Sequence, residues 1–227
     1  MRRAYHPGHP LIDDIMSTTI HYLFDPLCGW CYGATAAVTT LIAAPGVVVK
    51  LAPTGLFADD AARTMNDAFA KYAWTNDQRI EQLTGQHFSQ SYRDRVLGDR
   101  LQRFDSGLAT LALTAVSLTE SRREFEVLKA IQHARYVDGL DVTSPDTLAG
   151  LLARLDLQAA AKQIMRPDPE LLGENRRRVE QARALMAELG ARGVPTLVAE
   201  DGSKRWLLDA SAAYADPAAV LRQLAAI

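Results

Sequence analysis

The two cysteines of this 227-residue chain, Cys28 and Cys31, are separated by Gly29-Trp30 and form a Cys-x-x-Cys motif. Two cysteines spaced in this way at the start of a helix lie on one face, so their sulfurs can approach the roughly 2 Å of a disulfide bond. The free N–H groups and the positive end of the helix dipole favour the thiolate of Cys28, the form that attacks a disulfide. The motif therefore predicts a redox-active dithiol in which Cys28 attacks and Cys31, one turn deeper, resolves the mixed disulfide.

Two other interpretations of the cysteine pair stay open at this point. A zinc site would need two further ligands, and the candidate residues His21, His87 and His133 show no ligand-like spacing to one another. Two buried structural cysteines would need neither a helix start nor a Gly-Trp link. Because an isolated pair in a reducing cytosol is more often catalytic than structural, the sequence favours redox chemistry without a metal.

The second motif with chemical meaning is Gly193-Val194-Pro195-Thr196, which begins an extended segment. Proline cannot donate a hydrogen bond to a strand ladder, so it belongs at an edge, a first position or a turn. The X–Pro bond is also the place where a cis peptide bond costs least. The local sequence alone favours a trans proline at the start of a strand, with the cis form as the alternative.

The segments around these motifs predict a mixed sheet. Residues 19–24 and 47–51 have strand character, and the helix between them, ending at Pro45-Gly46, suits a right-handed parallel crossover. Residues 193–199 and 203–208, joined by Asp201-Gly202, predict an antiparallel hairpin. A helix ending at Gly190 precedes this hairpin, and a last helix from Asp216 follows it.

The middle of the chain, from about residue 56 to 169, carries helix signals in place of strand signals. Ser121 and Glu124 have the spacing of a capping box, and Ser144-Pro145 matches a helix start. Residues 108–118 are apolar nearly all round, which predicts a central helix. The run Arg176-Arg177-Arg178 is interpreted as a solvated helix side rather than an anion site, because consecutive helical residues point in different directions.

Composition excludes several classes of protein. Lys and Arg number 25 against 27 Asp and Glu, a formal net charge of −2, so nothing draws the whole chain to nucleic acid or anionic lipid. No segment approaches the roughly 18 apolar residues that span a membrane. The first residues lack the apolar run of about 7–15 residues of a secretory signal, so we expect a cytoplasmic protein. Residues 1–17 are expected to form a flexible extension with solvated His6 and His9, and Met16 is an alternative initiator.

The order of strand, Cys28-Gly29-Trp30-Cys31, helix, strand, helical block, helix, Val194-Pro195, hairpin and helix resembles the DsbA-like branch of the thioredoxin superfamily, and within it the cytoplasmic FrnE-type proteins. The resemblance implies an α/β thioredoxin fold: a four-stranded mixed sheet flanked by helices, with an all-helical insertion. It divides the chain into the N-terminal extension (1–17), a first thioredoxin-like part (18–55), the insertion (56–170) and a second thioredoxin-like part (171–227).

The resemblance also implies roles for residues. Pro195 would be cis and lie against the cysteines, keeping metal ligands away, and the main chain of Val194 would pair with an extended substrate. Trp30 would contact substrate, or equally fold back onto its own domain. The sequence departs from relatives with Pro-His between the cysteines and from those with a carboxylate inside the first strand. Asp25 is the nearest acid, and we interpret it as a turn-forming residue.

The leading hypothesis is thus a thiol–disulfide oxidoreductase or isomerase that exchanges disulfides with protein or glutathione-like substrates, without a bound cofactor, nucleic acid or membrane. Two alternatives stay open. One is a glutathione-dependent transferase or isomerase like the kappa-class and hydroxychromene-carboxylate enzymes. The other is a redox-responsive adaptor or chaperone without turnover. The oligomeric state does not follow from the sequence.

Overall fold

The computed structural model describes residues 18–225, so the expectations for residues 1–17 lie outside the described part. Within it, four strands form one mixed sheet in the order β2-β1-β5-β6. The pairing of β1 with β2 is parallel, whereas β1 with β5 and β5 with β6 are antiparallel. The strands are β1 (Thr18–Phe24), β2 (Val47–Pro53), β5 (Thr196–Asp201) and β6 (Lys204–Leu208).

The first strand forms the centre of the sheet because its side chains are apolar on both faces. Ile20, Tyr22 and Phe24 are buried on one face, and Leu23 packs with Val198 on the other. The edge strand β2 shows a partial alternation of exposed and half-buried residues instead. The predicted sheet and its parallel crossover are therefore confirmed.

The crossover between β1 and β2 consists of two helices rather than the single predicted one. Helix α1 (Gly29–Gly33) and helix α2 (Thr35–Ala43) meet at Ala34, where ψ is −3° and the helix bends. Gly33 allows the close approach of a neighbouring helix, since a Cβ there would lie 2.7 Å from a methyl group of Ile80. Helix α1, which ends in Cys31-Tyr32-Gly33, packs against α3 (Asp67–Thr84).

The insertion is helical with one exception. Its central helix, α5 (Gly107–Thr119), is buried from Ala109 to Val116, as the apolar run predicts. The expectation of an all-helical block is corrected by a short ladder between β3 (Arg63–Thr64) and β4 (Arg103–Phe104), whose two-residue strands are too short to produce an alternating pattern. Besides α3, the helices of this part of the chain are α4 (Gln90–Tyr92), α5 (Gly107–Thr119), α6 (Glu124–Tyr136), α7 (Pro145–Arg154), α8 (Gln158–Met165) and α9 (Pro169–Glu188).

Several local predictions hold and others are wrong. Ser144 caps α7, and Gly190 follows α9 with a φ of 66°. The capping box is wrong, because Ser121 lies in a 3₁₀ turn and Glu124 pairs with Arg178 instead. The hairpin turn falls one residue later than predicted, since Asp201 pairs with Lys204. The C-terminal segment holds two short helices, α10 (Ala212–Ala215) and α11 (Ala219–Ala225).

One of the three consecutive arginines is also not solvated. The Arg178 side chain is only 11% exposed, and it donates hydrogen bonds to Thr114 and Ser117 of α5 and to the carbonyl of Leu51 in β2. It therefore joins the insertion to the sheet. The apolar core is likewise shared, because side chains of β1 and of the insertion helices belong to one cluster.

Candidate active site

The first cysteine lies where α1 begins. Cys28 is the N-cap residue of α1, with extended φ and ψ, and its sulfur accepts a hydrogen bond from the backbone N–H of Cys31 at 3.4 Å. Its side chain is 7% exposed. The predicted position of Cys28 at a helix N-terminus is therefore confirmed, and its sulfur lies beside backbone N–H groups that have no partner inside the helix.

The second cysteine lies deeper. Cys31 is completely buried, and the hydroxyl of Tyr22 donates a hydrogen bond to its carbonyl at 3.1 Å. Burial raises the pKa of the Cys31 thiol well above its ordinary value, and the neighbouring Cys28 sulfur raises it further. Cys31 thus lies deeper than Cys28, as predicted, and its role as the resolving cysteine stays a prediction.

The Val194-Pro195 segment meets the cysteines from the other half of the chain. The Val194–Pro195 peptide bond is cis, as the family resemblance implies and contrary to what the local sequence favours. The thiol of Cys28 donates to the carbonyl oxygen of Val194 at 3.5 Å, a contact between residues 166 positions apart. The fold thereby brings the two motifs into one site.

Trp30, between the cysteines, is half-buried and packs on the C-terminal part of the chain. Its ring centroid lies 5.0 Å from that of Tyr214, and the Arg79 guanidinium lies 5.9 Å from the Trp30 ring. Trp30 therefore folds back onto its own domain, one of the two alternatives, and it also lines a cavity beside Cys28. Its contact with substrate stays a prediction.

This cavity, of about 260 Å³, lies between the start of α1 and the insertion. Aromatic residues are the largest group in its wall, and its lining includes Cys28, Trp30, Phe57, Phe69, Tyr136 and Asp77. A larger cavity of about 600 Å³ lies near Asp105 and Leu172 and does not reach the cysteines. The cavity next to Cys28 is thus the space that a substrate group attached to that sulfur would enter.

A buried acid in this wall was not singled out from the sequence. Asp77 of α3 is 5% exposed, and its Oδ2 accepts a hydrogen bond from the Tyr92 hydroxyl at 3.0 Å. Its Oδ1 lies against Gly29, where a Cβ would be only 2.5 Å away. A usable signal was present, since Asp77 interrupts an apolar helix face between Trp74 and Ile80. The absence of a side chain at position 29 allows this close approach.

A second buried acid supports the loop before the cysteines. Asp25 is completely buried and accepts hydrogen bonds from the N–H of Leu27 at 2.9 Å, the N–H of Phe57 at 3.1 Å and the hydroxyl of Ser106 at 2.7 Å. Burial raises its pKa, and these hydrogen bonds oppose the rise. The interpretation as a turn-forming residue was incomplete, because Asp25 forms the turn and also ties the loop to the insertion.

The described part of the chain has neither a cluster of metal ligands nor a membrane-spanning helix. Residues 18–225 contain no group of three or more His, Cys, Asp or Glu side chains arranged to hold a metal ion. Within the same range, no helix combines the length and the apolar character needed to cross a membrane.

A thioredoxin-type sheet with a Cys-x-x-Cys pair at a helix N-terminus beside a cis-proline defines the class of thiol–disulfide oxidoreductases. The family model for the DSBA-like thioredoxin domain matches residues 19–214, so the chain belongs to that family. It is a DsbA-like thiol–disulfide oxidoreductase, and such enzymes act on thiols and disulfides.

Solved structures support this assignment. The chain is 33% identical to the cytosolic disulfide reductase DsbM from Pseudomonas aeruginosa, with a TM-score of 0.80 over 92% of this chain and all of that one. A second structure of that reductase, with GSH, shows 31% identity at the same score and coverage. A protein from Nitrosomonas europaea is 22% identical to the chain, with a TM-score of 0.72 over 91% of this chain and 98% of that one. At this identity the similarity shows the fold alone. A search of curated protein sequences gave no match.

Proposed function

We propose that the chain is a cytoplasmic disulfide reductase that works through the Cys28-Gly29-Trp30-Cys31 dithiol. The observation that carries the proposal is the placement of the Cys28 sulfur, which lies at the N-terminus of α1, beside the Val194 carbonyl and at the wall of the aromatic cavity. A substrate disulfide that enters from the cavity would meet this sulfur before Cys31, which is fully buried.

The proposed reaction has two exchange steps. The Cys28 thiolate attacks one sulfur of the substrate disulfide, which forms a mixed disulfide and releases the other sulfur as a thiol. The Cys31 thiol then loses its proton to water as its sulfur attacks the Cys28 sulfur. The second substrate sulfur leaves, takes up a proton and departs as a thiol, and a Cys28–Cys31 disulfide remains. Two molecules of a small thiol reduce that disulfide and are oxidised to their own disulfide, so electrons and protons balance.

The remaining site residues position the substrate in this proposal. The Val194 main chain pairs with an extended substrate, Pro195 shapes the loop beside the sulfurs, and Trp30 contacts the substrate from the cavity wall. Glutathione is the proposed small thiol, and its presence in the DsbM structure with GSH supports this choice. The description of DsbM as cytosolic supports the proposed location.

The dithiol supports this function over the two alternatives. A transferase or isomerase of the kappa or hydroxychromene-carboxylate type would centre on one activated residue, whereas here a second thiol lies behind the first. An adaptor or chaperone without turnover would not need that second thiol. The direction of electron flow is tested by redox titration against glutathione. We expect a potential nearer the about −270 mV of a reductant than the about −120 mV of a strong oxidant.

Single-cysteine variants test the roles of the two thiols. We expect Cys28→Ser to abolish the glutathione-dependent reduction of hydroxyethyl disulfide. Cys31→Ser should accumulate a mixed disulfide on Cys28 that mass spectrometry detects. Turnover that survives in Cys28→Ser, or a mixed disulfide that accumulates on Cys31 in Cys28→Ser but not on Cys28 in Cys31→Ser, would refute the proposed roles.

A further inference from the structure

We propose that Asp77 is the general acid that protonates the substrate sulfur released when Cys28 attacks a disulfide. This inference rests on the proposed function and names a catalytic residue outside the Cys-x-x-Cys motif. It begins from the position of the carboxyl group, which lines the same cavity as Cys28. When Cys28 attacks one sulfur of a substrate disulfide, the other sulfur is displaced into that cavity and therefore departs toward the wall that carries Asp77.

Two contacts hold the carboxyl group in that wall. The Tyr92 hydroxyl donates to Oδ2 at 3.0 Å, and Oδ1 lies against the backbone of Gly29, the residue that follows Cys28. The side chain is 5% exposed, so its orientation is set by protein contacts rather than by solvent. The carboxyl group thus lies beside Gly29, the neighbour of the nucleophile Cys28, and in the same cavity wall, where it can meet a sulfur that departs into the cavity.

Several charged and titratable groups surround Asp77, and they come from the different elements that pack against it. Burial raises the pKa of Asp77 to about 7, against the lowering effects of the Tyr92 hydrogen bond and of the Arg135 charge. Arg135 of α6 is 1% exposed and lies 5.5 Å from the Tyr92 ring. The titratable and charged groups that line the cavity with Asp77 are Cys28, Arg63, Tyr72, Tyr92 and Tyr136, and Arg135 packs against the rings of Tyr92 and Tyr136. The carboxyl group is thus present in both protonation states near neutral pH.

The cavity creates the need for such an acid. A thiolate released among the aromatic side chains of Phe57, Phe69 and Tyr136 loses the hydration that stabilises it in water, and burying an unpaired anion is costly. An ordinary cysteine thiol has a pKa of about 8.5. Proton transfer from a carboxyl group with a pKa of about 7 to such a leaving sulfur is therefore favourable, because the thiol is the weaker acid.

The proposed step balances. The Cys28 thiolate forms a bond to one substrate sulfur, the substrate S–S bond breaks, and its electron pair passes to the departing sulfur. That sulfur takes the proton of Asp77 and leaves as a thiol. The Asp77 carboxylate regains a proton from water at the mouth of the cavity before the next cycle. No metal or cofactor is required.

The test compares leaving groups of different acidity. In a Cys31→Ser background, only the attack of Cys28 is observed, and the quenched mixed disulfide is quantified by mass spectrometry. With glutathione disulfide, we expect Asp77→Asn to slow this attack by about tenfold or more. A positioned acid usually accelerates a reaction by about 10²–10⁴-fold. The expected loss of rate is smaller here because a thiolate is a comparatively good leaving group.

With 5,5′-dithiobis(2-nitrobenzoate), the same variant should be nearly as fast as its parent, because the aromatic thiolate leaves without a proton. A far-ultraviolet circular dichroism spectrum equal to that of the parent checks separately that the variant is folded. Equal losses with both disulfides would overturn the proposal and assign Asp77 a structural role. Failure of the proposed function is distinguishable, because it would appear as turnover in Cys28→Ser.

Two further variants sharpen the test. Glu81→Gln neutralises an exposed acid on the same helix, paired with His87, and should leave both rates unchanged. The ratio of the parent rate to the Asp77→Asn rate, measured with glutathione disulfide, should fall toward one as pH rises through about 7, the pKa of Asp77. Tyr92→Phe removes a hydrogen bond that lowers this pKa, so the midpoint should move to higher pH. A ratio that does not vary with pH would contradict the assignment.

Discussion

At the scale of single residues, Cys28 and Cys31 differ in access although they carry the same thiol. Cys28 is 7% exposed at a cavity wall, whereas Cys31 is fully buried and burial raises its pKa. We therefore expect iodoacetamide to alkylate the reduced native protein at Cys28 and to spare Cys31, because both access and the thiolate form are needed. Peptide mass spectrometry after brief labelling measures the two sites separately.

The denatured protein is the control for this experiment. In urea, both thiols lose their surroundings, so both should be alkylated at similar rates. Native labelling that is equal at the two sites, or that prefers Cys31, would show that the order of burial is wrong. It would also remove the basis for assigning the attack to Cys28.

Asp77 gives a second prediction at this scale, concerning the free energy of unfolding. Because its pKa is raised to about 7, the folded state binds its proton more tightly than the unfolded state does. Its contribution to stability is therefore fully present below its ordinary pKa of about 4 and is lost as pH rises through about 7. We expect stability to fall with pH in this window, by up to about 1.4 kcal/mol per pH unit from this group.

The comparison with Asp77→Asn isolates that contribution. Urea titrations at pH 5, 6, 7 and 8 give the free energy of unfolding of both proteins, and other buried acids such as Asp25 and Glu124 cancel in the difference. The variant should gain stability relative to the parent protein as pH increases. A difference that is constant across this range would mean that Asp77 does not titrate with a raised pKa.

Residue-level features divide into those that the sequence reveals and those that it does not. The spacing of Cys28 and Cys31 was sufficient to place them at a helix start, since that spacing is local. The contact of Asp77 with Gly29 depends on how α3 packs against α1, across 48 residues of sequence, and no local pattern encodes it. Asp25 was recognised for its turn, but its bonds to Phe57 and Ser106 are long-range.

At the scale of elements, α9 is joined to the rest of the molecule by one of its three consecutive arginines. Arg178 pairs with Glu124 of α6, and their side chains are 11% and 9% exposed. We expect Arg178→Met to lower the free energy of unfolding by about 3–5 kcal/mol, because it leaves Glu124 buried without its partner. Chemical denaturation in urea at pH 7 measures this loss.

The adjacent residue is a matched control for that prediction. Arg177 pairs with Glu174 on the same helix, but its side chain is 55% exposed. Arg177→Met should therefore cost less than about 1 kcal/mol. Similar losses for the two variants would show that Arg178 does not join the elements as described. The sequence could not separate the two arginines, because which one faces α6 depends on the rotation of α9 about its axis.

At the scale of the whole molecule, the sheet was predictable and the manner in which the insertion joins it was not. The crossover after β1 and the hairpin of β5 and β6 have local signals, whereas the pairing of β1 with β5, which completes the strand order, has none. The hydroxyl of Tyr136 in α6 donates to the carbonyl of Leu27, next to Cys28, at 2.8 Å. Such contacts place the insertion directly against the cysteine loop, and they form only when both parts are folded.

This shared packing predicts that the sheet and the insertion unfold together. Residues of β1 and of the insertion helices belong to one apolar core, with Arg178 and Asp25 bridging its edges. We expect one cooperative urea transition with the same midpoint for the tryptophan signal of a variant that keeps only Trp206, in β6, and for that of a variant that keeps only Trp74, in α3.

Far-ultraviolet circular dichroism is the control for each variant. The midpoint of the tryptophan signal is compared with the midpoint of the circular dichroism of the same variant, which corrects for any change in stability from the substitutions. If the Trp74 signal were lost at lower urea than the circular dichroism of the same variant, the insertion would unfold on its own. The wall that carries Asp77 would then open separately from the sheet that supports Cys28.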